Sequence, residues 1–284
     1  MKKGLILEGG AMRGLFTAGV IDVMMENGIT YDGLVGVSAG AAFGCNYKSG
    51  QIGRTLRYNK KYCKDSRYCS FRSLVFTGDM YGADFCYRKI PLELDLFDND
   101  AYLKNPMEFH IVCTDIESGK ALYRKMESLE GENVDWIRAS ASMPLVSRIV
   151  EIEGKKLLDG GVTDSIPVKY FEELGYNKNV VVLTQPKGYV KHKNSLMPVI
   201  KHIYRKYPAL VKAIAVRHEE YNKTTSYVAE KEAAGQLFVI RPEEELAIGH
   251  ISHKPEELQQ VYDAGRKTME KQLDNLKKYL SSEI

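Results

Sequence analysis

Short apolar runs and helical stripes alternate through the first forty-odd positions of the chain. Gly4 to Leu7 is an apolar run of strand length, followed by the glycine turn Glu8-Gly9-Gly10-Ala11-Met12-Arg13-Gly14. Phe16, Val20, Val23 and Met24 then recur at helical spacing, and Asn27-Gly28 supplies the stop. Leu34 to Val37 is a second buried-strand run. It leads into Ser38-Ala39-Gly40-Ala41-Ala42, small residues suited to a helix that starts close against a sheet. Strand, helix, strand, helix in this order predicts a βαβ unit, hence a parallel sheet with helices on its faces.

From Gln51 to about Asn105 the pattern loosens. Tyr58, Tyr62, Tyr68, Tyr81, Tyr87 and Tyr102 are scattered through it, and Gln51 to Ser73 holds seven basic residues against Asp65 alone. This stretch is expected to be an inserted cap. Regular patterning resumes with a strand over Glu108 to Thr114, a strand over Ala121 to Lys125 and a helix from Val134 to Ser142, ended by Pro144. Two short runs flank Gly154, the turn Asp159-Gly160-Gly161 follows, Ile166-Pro167 opens a helix through Leu174, and Val180 to Leu183 is another buried strand. Past Lys187 the pattern predicts a long helical region broken at Pro198 and Pro208, a strand at Leu237 to Ile240, and a closing helix from Pro255 to Leu280. No internal repeat or linker divides the chain. One α/β domain over residues 1–284 is expected, with a cap at about 51–105 and a helical C-terminal region at about 187–284.

Composition narrows the classes. A chain of 284 residues, 44% hydrophobic, can bury a sizeable core, and its apolar fraction excludes intrinsic disorder. Cys45, Cys63, Cys69, Cys86 and Cys113 are odd in number and show no metal-ligand spacing, a pattern of free thiols in a reducing compartment. Leu5-Ile6-Leu7 is cut off by Glu8, short of a signal-peptide core, and no apolar run approaches membrane-spanning length, so the expected address is the cytoplasm. The net charge of +3 does not indicate nucleic acid as a partner. It is unevenly spread: Leu174 to His218 holds nine Lys or Arg and no Asp or Glu.

Candidate chemistry lies in three turns. Gly36-Val37-Ser38-Ala39-Gly40 is a Gly-x-Ser-x-Gly between a strand and a helix, the context in which a serine hydroxyl stands exposed above a helix N-terminus. A helix-capping serine is the competing reading. Gly9 to Gly14 joins the preceding strand and helix, so its amides point into the same crevice at the strands' C-terminal ends. Ala11 allows close backbone approach there if its φ is negative. The loop also invites a nucleotide reading. Ala11 then occupies the third position of Gly-x-Gly-x-x-Gly, and Asp32, about 20 residues on, lies near the serine turn instead of at a strand end. Asp159-Gly160-Gly161 adds an acid that is a candidate base beside an exposed serine.

Together these motifs resemble the bacterial patatin-like phospholipases of the patatin and cytosolic phospholipase A2 superfamily. The order Gly-rich Arg loop, Gly-x-Ser-x-Gly and Asp-Gly-Gly is met, as are Thr114-Asp115-Ile116-Glu117-Ser118-Gly119 and Arg138-Ala139-Ser140-Ala141-Ser142-Met143-Pro144, over roughly residues 4–185. The resemblance implies a three-layer α/β fold, a mostly parallel sheet flanked by helices, with a helical cap. It further implies a Ser–Asp dyad of Ser38 and Asp159, an oxyanion hole from the Gly10 and Ala11 amides, and support from Gly9, Arg13, Gly14, Gly36, Gly40, Gly160 and Gly161. Arg13 would brace the loop or face an anionic substrate. The implied activity is hydrolysis of a lipid or fatty-acyl ester through an acyl-enzyme, with no cofactor and no metal. Ala11 in place of a third glycine and Asp164-Ser165 in place of the usual Asn depart from the pattern. A lipid acyltransferase and a non-catalytic or nucleotide-binding module are the alternatives. A Ser-Asp-His triad would need a late histidine such as His250, which with His253 is expected in a solvated loop. Asp115 is expected to fix the turn after its strand. The stripe from Leu196 to Val216 suits a lid, a basic surface on anionic membrane (187–217) or a docked core helix.

Overall fold

The computed structural model describes residues 1–282; residues 283 and 284, at the end of the expected C-terminal region, lie outside the described residues. In chain order the elements are β1 (Lys2–Leu7), α1 (Gly14–Glu26), β2 (Gly33–Val37), α2 (Ala39–Lys48), α3 (Arg54–Tyr62), α4 (Phe71–Thr77) and α5 (Asn99–Lys104). Then come β3 (Glu108–Asp115), β4 (Lys120–Lys125), α6 (Val134–Ser140), β5 (Val150–Ile152), β6 (Lys155–Asp159), α7 (Val168–Glu173) and β7 (Tyr176–Val182). The C-terminal part holds α8 (Met197–Ile203), α9 (Pro208–Ala233), β8 (Leu237–Ile240) and α10 (Pro255–Ser281). Between α4 and α5, Phe85–Leu94 winds as a π-helix with Pro91 inside it.

The sheet order is β5-β6-β3-β2-β1-β7-β8, with β4 also paired to β3. The five strands from β3 to β8 run parallel, whereas β4, β5 and β6 form an antiparallel extension. Period-2 alternation divides the parallel part between two faces. Leu5, Leu7 and Leu34 join α1, α2 and α10 in one core, while Ile6, Val35 and Val37 join Phe171, Tyr221 and Val228 of α7 and α9 in another. Strands buried on both faces account for the continuous apolar runs in the sequence. The result is a three-layer α/β fold.

The cap over 51–105 is helical, and its Tyr58, Tyr62, Tyr68 and Tyr102 belong to the same core as α1 and α10. The helical region past Lys187 differs from the expectation in detail. Pro198 lies in the first turn of α8 and Pro208 starts α9, so both prolines open helices, where a missing N–H costs nothing. The stripe at 196–216 thereby divides. Leu210 and Ile214 of α9 are buried against Ile116 and Leu158, whereas Leu196, Val199 and Ile203 around α8 are exposed. The five cysteines are free thiols, and Asp115 accepts the Glu117 and Ser118 amides at the turn after β3.

Candidate active site

β1 and β2 are adjacent and parallel, so the turns that follow them, Gly9 to Gly14 and Ser38, open at the same edge of the sheet. Register brings in the acid. Val37 pairs with Val112 on one side of β3, and Cys113 pairs with Asp159 on the other, so Ser38 and Asp159 end at one level of the sheet with β3 between them. Ser38 Oγ donates to Asp159 Oδ2 at 2.6 Å.

The serine turn is strained. Ser38 takes φ 55° and ψ −121°, a conformation that L residues rarely adopt and that costs about 1–3 kcal/mol. Neighbouring contacts hold it there. The Ser38 N–H donates to Ser140 Oγ at 3.0 Å, and Ser140 Oγ donates onward to the Val112 carbonyl at 2.7 Å. The flanking glycines are required by backbone contact: a Cβ on Gly36 would collide with the Gly40 peptide, and one on Gly40 with the Leu7 carbonyl. Gly9 lies against the Ser38 side chain, Gly10 against Thr184, Gly14 against Ala39 and Phe43, and Gly160 against Val112.

Asp159 is buried. Its Oδ1 accepts the Gly161 N–H at 2.7 Å, its N–H donates to the Ser142 carbonyl at 2.7 Å, and its carbonyl accepts from Thr114 Oγ1 at 2.8 Å. Burial pushes its carboxyl above the usual carboxylate range, against the lowering effects of the Ser38 hydroxyl, the Gly161 amide and the Arg217 charge. The turn beneath it is tied down at the Gly161 carbonyl, which accepts from Ser165 Oγ at 2.8 Å and from Arg217 Nε at 2.5 Å. Ser165, one of the departures from the family pattern, therefore braces this turn, while Asp164 accepts from Tyr123 OH at 2.8 Å and the Ile166 amide at 3.2 Å.

In the glycine-rich turn, the Gly10 and Ala11 N–H groups find no acceptor among the described residues. Ala11 sits at φ 49°, in the left-handed region, so the negative φ assumed for it from sequence is not met. Removing its Cβ should relieve more left-handed strain than the added chain entropy of glycine costs. Ala11→Gly is expected to stabilise the fold by about 0.5–1 kcal/mol, read as a rise of a degree or two in Tm; a fall in Tm would count against strain at this position. Arg13 closes the turn through its N–H to the Gly10 carbonyl at 3.1 Å. Below the turn, buried Glu8 accepts from the Thr184 N–H at 2.6 Å and from Tyr221 OH at 2.7 Å, anchoring the loop to β7 and α9.

Ser38 opens into a cavity of about 390 Å³, within the range of ligand pockets. Ala11, Met12 and Phe43 line it from the fold, and Tyr58, Tyr87 and Ile90 from the cap. The lining is predominantly apolar, with Arg54, Arg88, Asn99 and Glu130 among it.

Other sequence readings find no place here. Asp32 precedes β2 and accepts the Lys3 N–H at 2.7 Å, at the opposite end of the sheet from the glycine-rich turn, where it cannot serve a nucleotide. His250 and His253 are exposed in the loop before α10, as expected, with His253 bonded to the Cys63 carbonyl at 2.5 Å, and His250 makes no hydrogen bond to Ser38 or Asp159. Among the described residues no group of three or more His, Cys, Asp or Glu is placed to hold a metal. Sequence reasoning missed Ser140, Thr114, Glu8 and Arg217 as supports. The first three lay inside motifs already singled out, whereas Arg217, 56 residues beyond Gly161, carried no local signal.

The family model for patatin-like phospholipases matches residues 5–172, which contain all three turns. The chain belongs to this family. A second model, a domain of unknown function (DUF6363), matches residues 207–281, so Arg217 reaches the turn of the patatin-like segment from outside it. The patatin-like chain is 31% identical over 189 residues to the uncharacterized protein YjjU of Escherichia coli, covering 64% of this chain and 52% of the relative. It is 26% identical over 164 residues to an uncharacterized NTE family protein of Mycobacterium tuberculosis (58% and 44%), and 28% identical over 179 residues to lysophospholipase nte1 of Aspergillus niger (61% and 11%). The chain thus spans about half the length of the first two relatives. Among solved structures, VipD from Legionella pneumophila is similar with a TM-score of 0.49 at 12% identity, over 96% of this chain and 67% of that one.

Proposed function

We propose that this patatin-like chain is a serine hydrolase of lipid carboxylic esters, of phospholipase A or lysophospholipase type, acting as one α/β domain with a cap. The carrying observation is the 2.6 Å bond to buried Asp159 from the Oγ of Ser38, a residue that lines the cavity. Asp159 takes the hydroxyl proton as Ser38 attacks the ester carbonyl, and the Gly10 and Ala11 amides hold the tetrahedral oxyanion. Collapse breaks the bond to the alcohol, which leaves with the proton from Asp159, and the acyl group stays on Ser38. Water then attacks, giving a proton to Asp159, and the fatty acid departs as Ser38 regains its hydrogen. Named relatives of lysophospholipase type and the apolar cavity support a lipid over a small polar ester.

Covalent labelling with a fluorophosphonate and, on a separate unlabelled sample, hydrolysis of lysophosphatidylcholine test the reading. Labelling at Ser38 with fatty-acid release is expected; a folded protein that does neither removes it. No helix among the described residues is long and apolar enough to cross a membrane, so access to lipid is proposed through peripheral contact of 187–217 with anionic membrane.

Arg217 is proposed as a positioning residue for Asp159. Its charge favours the ionised carboxylate, so its removal raises the carboxyl pKa further and moves the acid limb of kcat/KM to higher pH. Arg217→Gln is expected to show that shift with a 10–100-fold fall in kcat/KM, the cost range of an outer support. Arg217→Lys, which keeps the charge, should hold the limb in place. An unmoved limb in Arg217→Gln would leave Arg217 with a purely structural role.

A further inference from the structure

Two short helices from distant parts of the chain each present three exposed apolar side chains, apart from those around Leu92, Leu96 and Leu103 elsewhere in the cap. α4 in the cap turns Phe71, Val75 and Phe76 outward, with the two phenylalanines 73% and 75% exposed. α8 and the residue before it turn out Val199, Ile203 and Leu196. The two helices are linked through the loop after α6. The Met80 N–H donates to the Val146 carbonyl at 2.8 Å, the Arg148 N–H donates to Asp79 at 2.8 Å, and the Leu145 N–H donates to Tyr204 OH at 2.9 Å. α4, the loop and α8 are therefore tied to one another.

The segments that carry these side chains lack acidic residues; the nearest acidic group at the end of α8, Glu117, is paired with Lys156 beside Tyr207. Residues 66–78, 141–149 and 187–217 contain no Asp or Glu. Arg72 packs over the Phe76 ring at 5.7 Å, and Lys193, Lys201, Arg205 and Lys206 are exposed around α8. Asp79 beneath α4 is buried and paired with Arg138, so it offers no counter-charge at the surface. The same loop reaches the site: Ala141 and Met143 line the acyl cavity, and the Ser142 carbonyl accepts the Asp159 N–H.

We infer that α4 and α8 together form a docking face for an anionic lipid bilayer, seating the cavity on its substrate. The inference rests on the lipid-hydrolase reading for its purpose and extends it to a cap helix outside 187–217. Apolar tips on short helices rimmed by Lys and Arg match the two layers of a bilayer surface, hydrocarbon beneath and anionic headgroups above. A protein partner would need acidic groups placed to meet scattered basic ones, while anionic lipid supplies charge wherever they fall.

Vesicle sedimentation of the full chain tests this, with phosphatidylglycerol-containing against pure phosphatidylcholine vesicles. The wild type should bind the anionic vesicles more tightly, and salt should weaken the binding. Phe71→Ser/Phe76→Ser in α4 and Val199→Ser/Ile203→Ser in α8 should each lower the partition coefficient tenfold or more, about the effect of losing one buried apolar side chain. Lys201→Glu/Arg205→Glu should abolish the preference for anionic lipid. All three variants should hydrolyse a short soluble ester at the wild-type rate, which confirms that they fold. Equal wild-type binding to both vesicles, no binding, or undiminished binding of the α4 variant would overturn the proposal. So would a wild-type dimer in sedimentation velocity that the α4 variant abolishes, because a second copy would then cover the face. A wild type that binds vesicles but leaves the soluble ester intact would instead sink the hydrolase reading and leave docking standing.

Discussion

Ser38→Ala is expected to leave a folded protein whose ester turnover is lower by about 10⁴-fold or more, the loss seen when the nucleophile of an acyl-enzyme mechanism is removed. The Ser38 hydroxyl lines the cavity with Ala11, and Asp159 is bonded to it at 2.6 Å. Alanine can occupy the same φ and ψ under the same backbone constraints, because the bond from the residue 38 N–H to Ser140 and the Gly36 and Gly40 contacts involve no Ser38 side-chain atom. The variant should retain its circular dichroism and lose fluorophosphonate labelling altogether. Turnover within tenfold of wild type would remove Ser38 from the nucleophile role.

Asp159→Asn should cost about 10²–10⁴-fold in kcat, the contribution of a general base. The amide reproduces the shape and inverts the polarity of the bond to Ser38. Its oxygen can still accept the Gly161 N–H, as Oδ1 does at 2.7 Å, which leaves the NH₂ group facing Ser38 Oγ. The serine then accepts where it donated, and its proton has nowhere to go during attack. The acid limb of the wild-type pH profile, displaced upward by burial of the carboxyl, should vanish with the carboxyl itself. The double variant with Ser38→Ala should be no slower than Ser38→Ala alone, since the two groups act as a unit. An Asp159→Asn protein with the wild-type rate and acid limb would place the base elsewhere.

The elements of the parallel sheet were legible because each strand is buried on both faces, which writes it as an unbroken apolar run between turn residues. Gly4 to Leu7, Leu34 to Val37 and Val180 to Leu183 lie within or extend by a residue the observed β1, β2 and β7. Ser38, Asp159 and the glycine-rich turn were legible because their constraints are local: a strained turn needs glycine on either side wherever backbone meets backbone. Ala11 was less so. Its sequence neighbours do not reveal that the loop holds it at φ 49°.

The chain by itself determined the α/β class, the order of the sheet strands and the long helices outside the cap, and three turns that carry a serine, an acid and glycine-rich amides. Tertiary structure alone decided that Ser38 and Asp159 meet, because their approach depends on the pairing of β6 antiparallel to β3 at Cys113, a register that no local pattern encodes. It also decided that Arg217 bonds the turn carrying Asp159, and that the stripe splits between buried Met197, Ile200, Leu210 and Ile214 and exposed Leu196, Val199 and Ile203. Periodicity records which side of a helix is apolar; what that side meets is fixed only when distant segments pack.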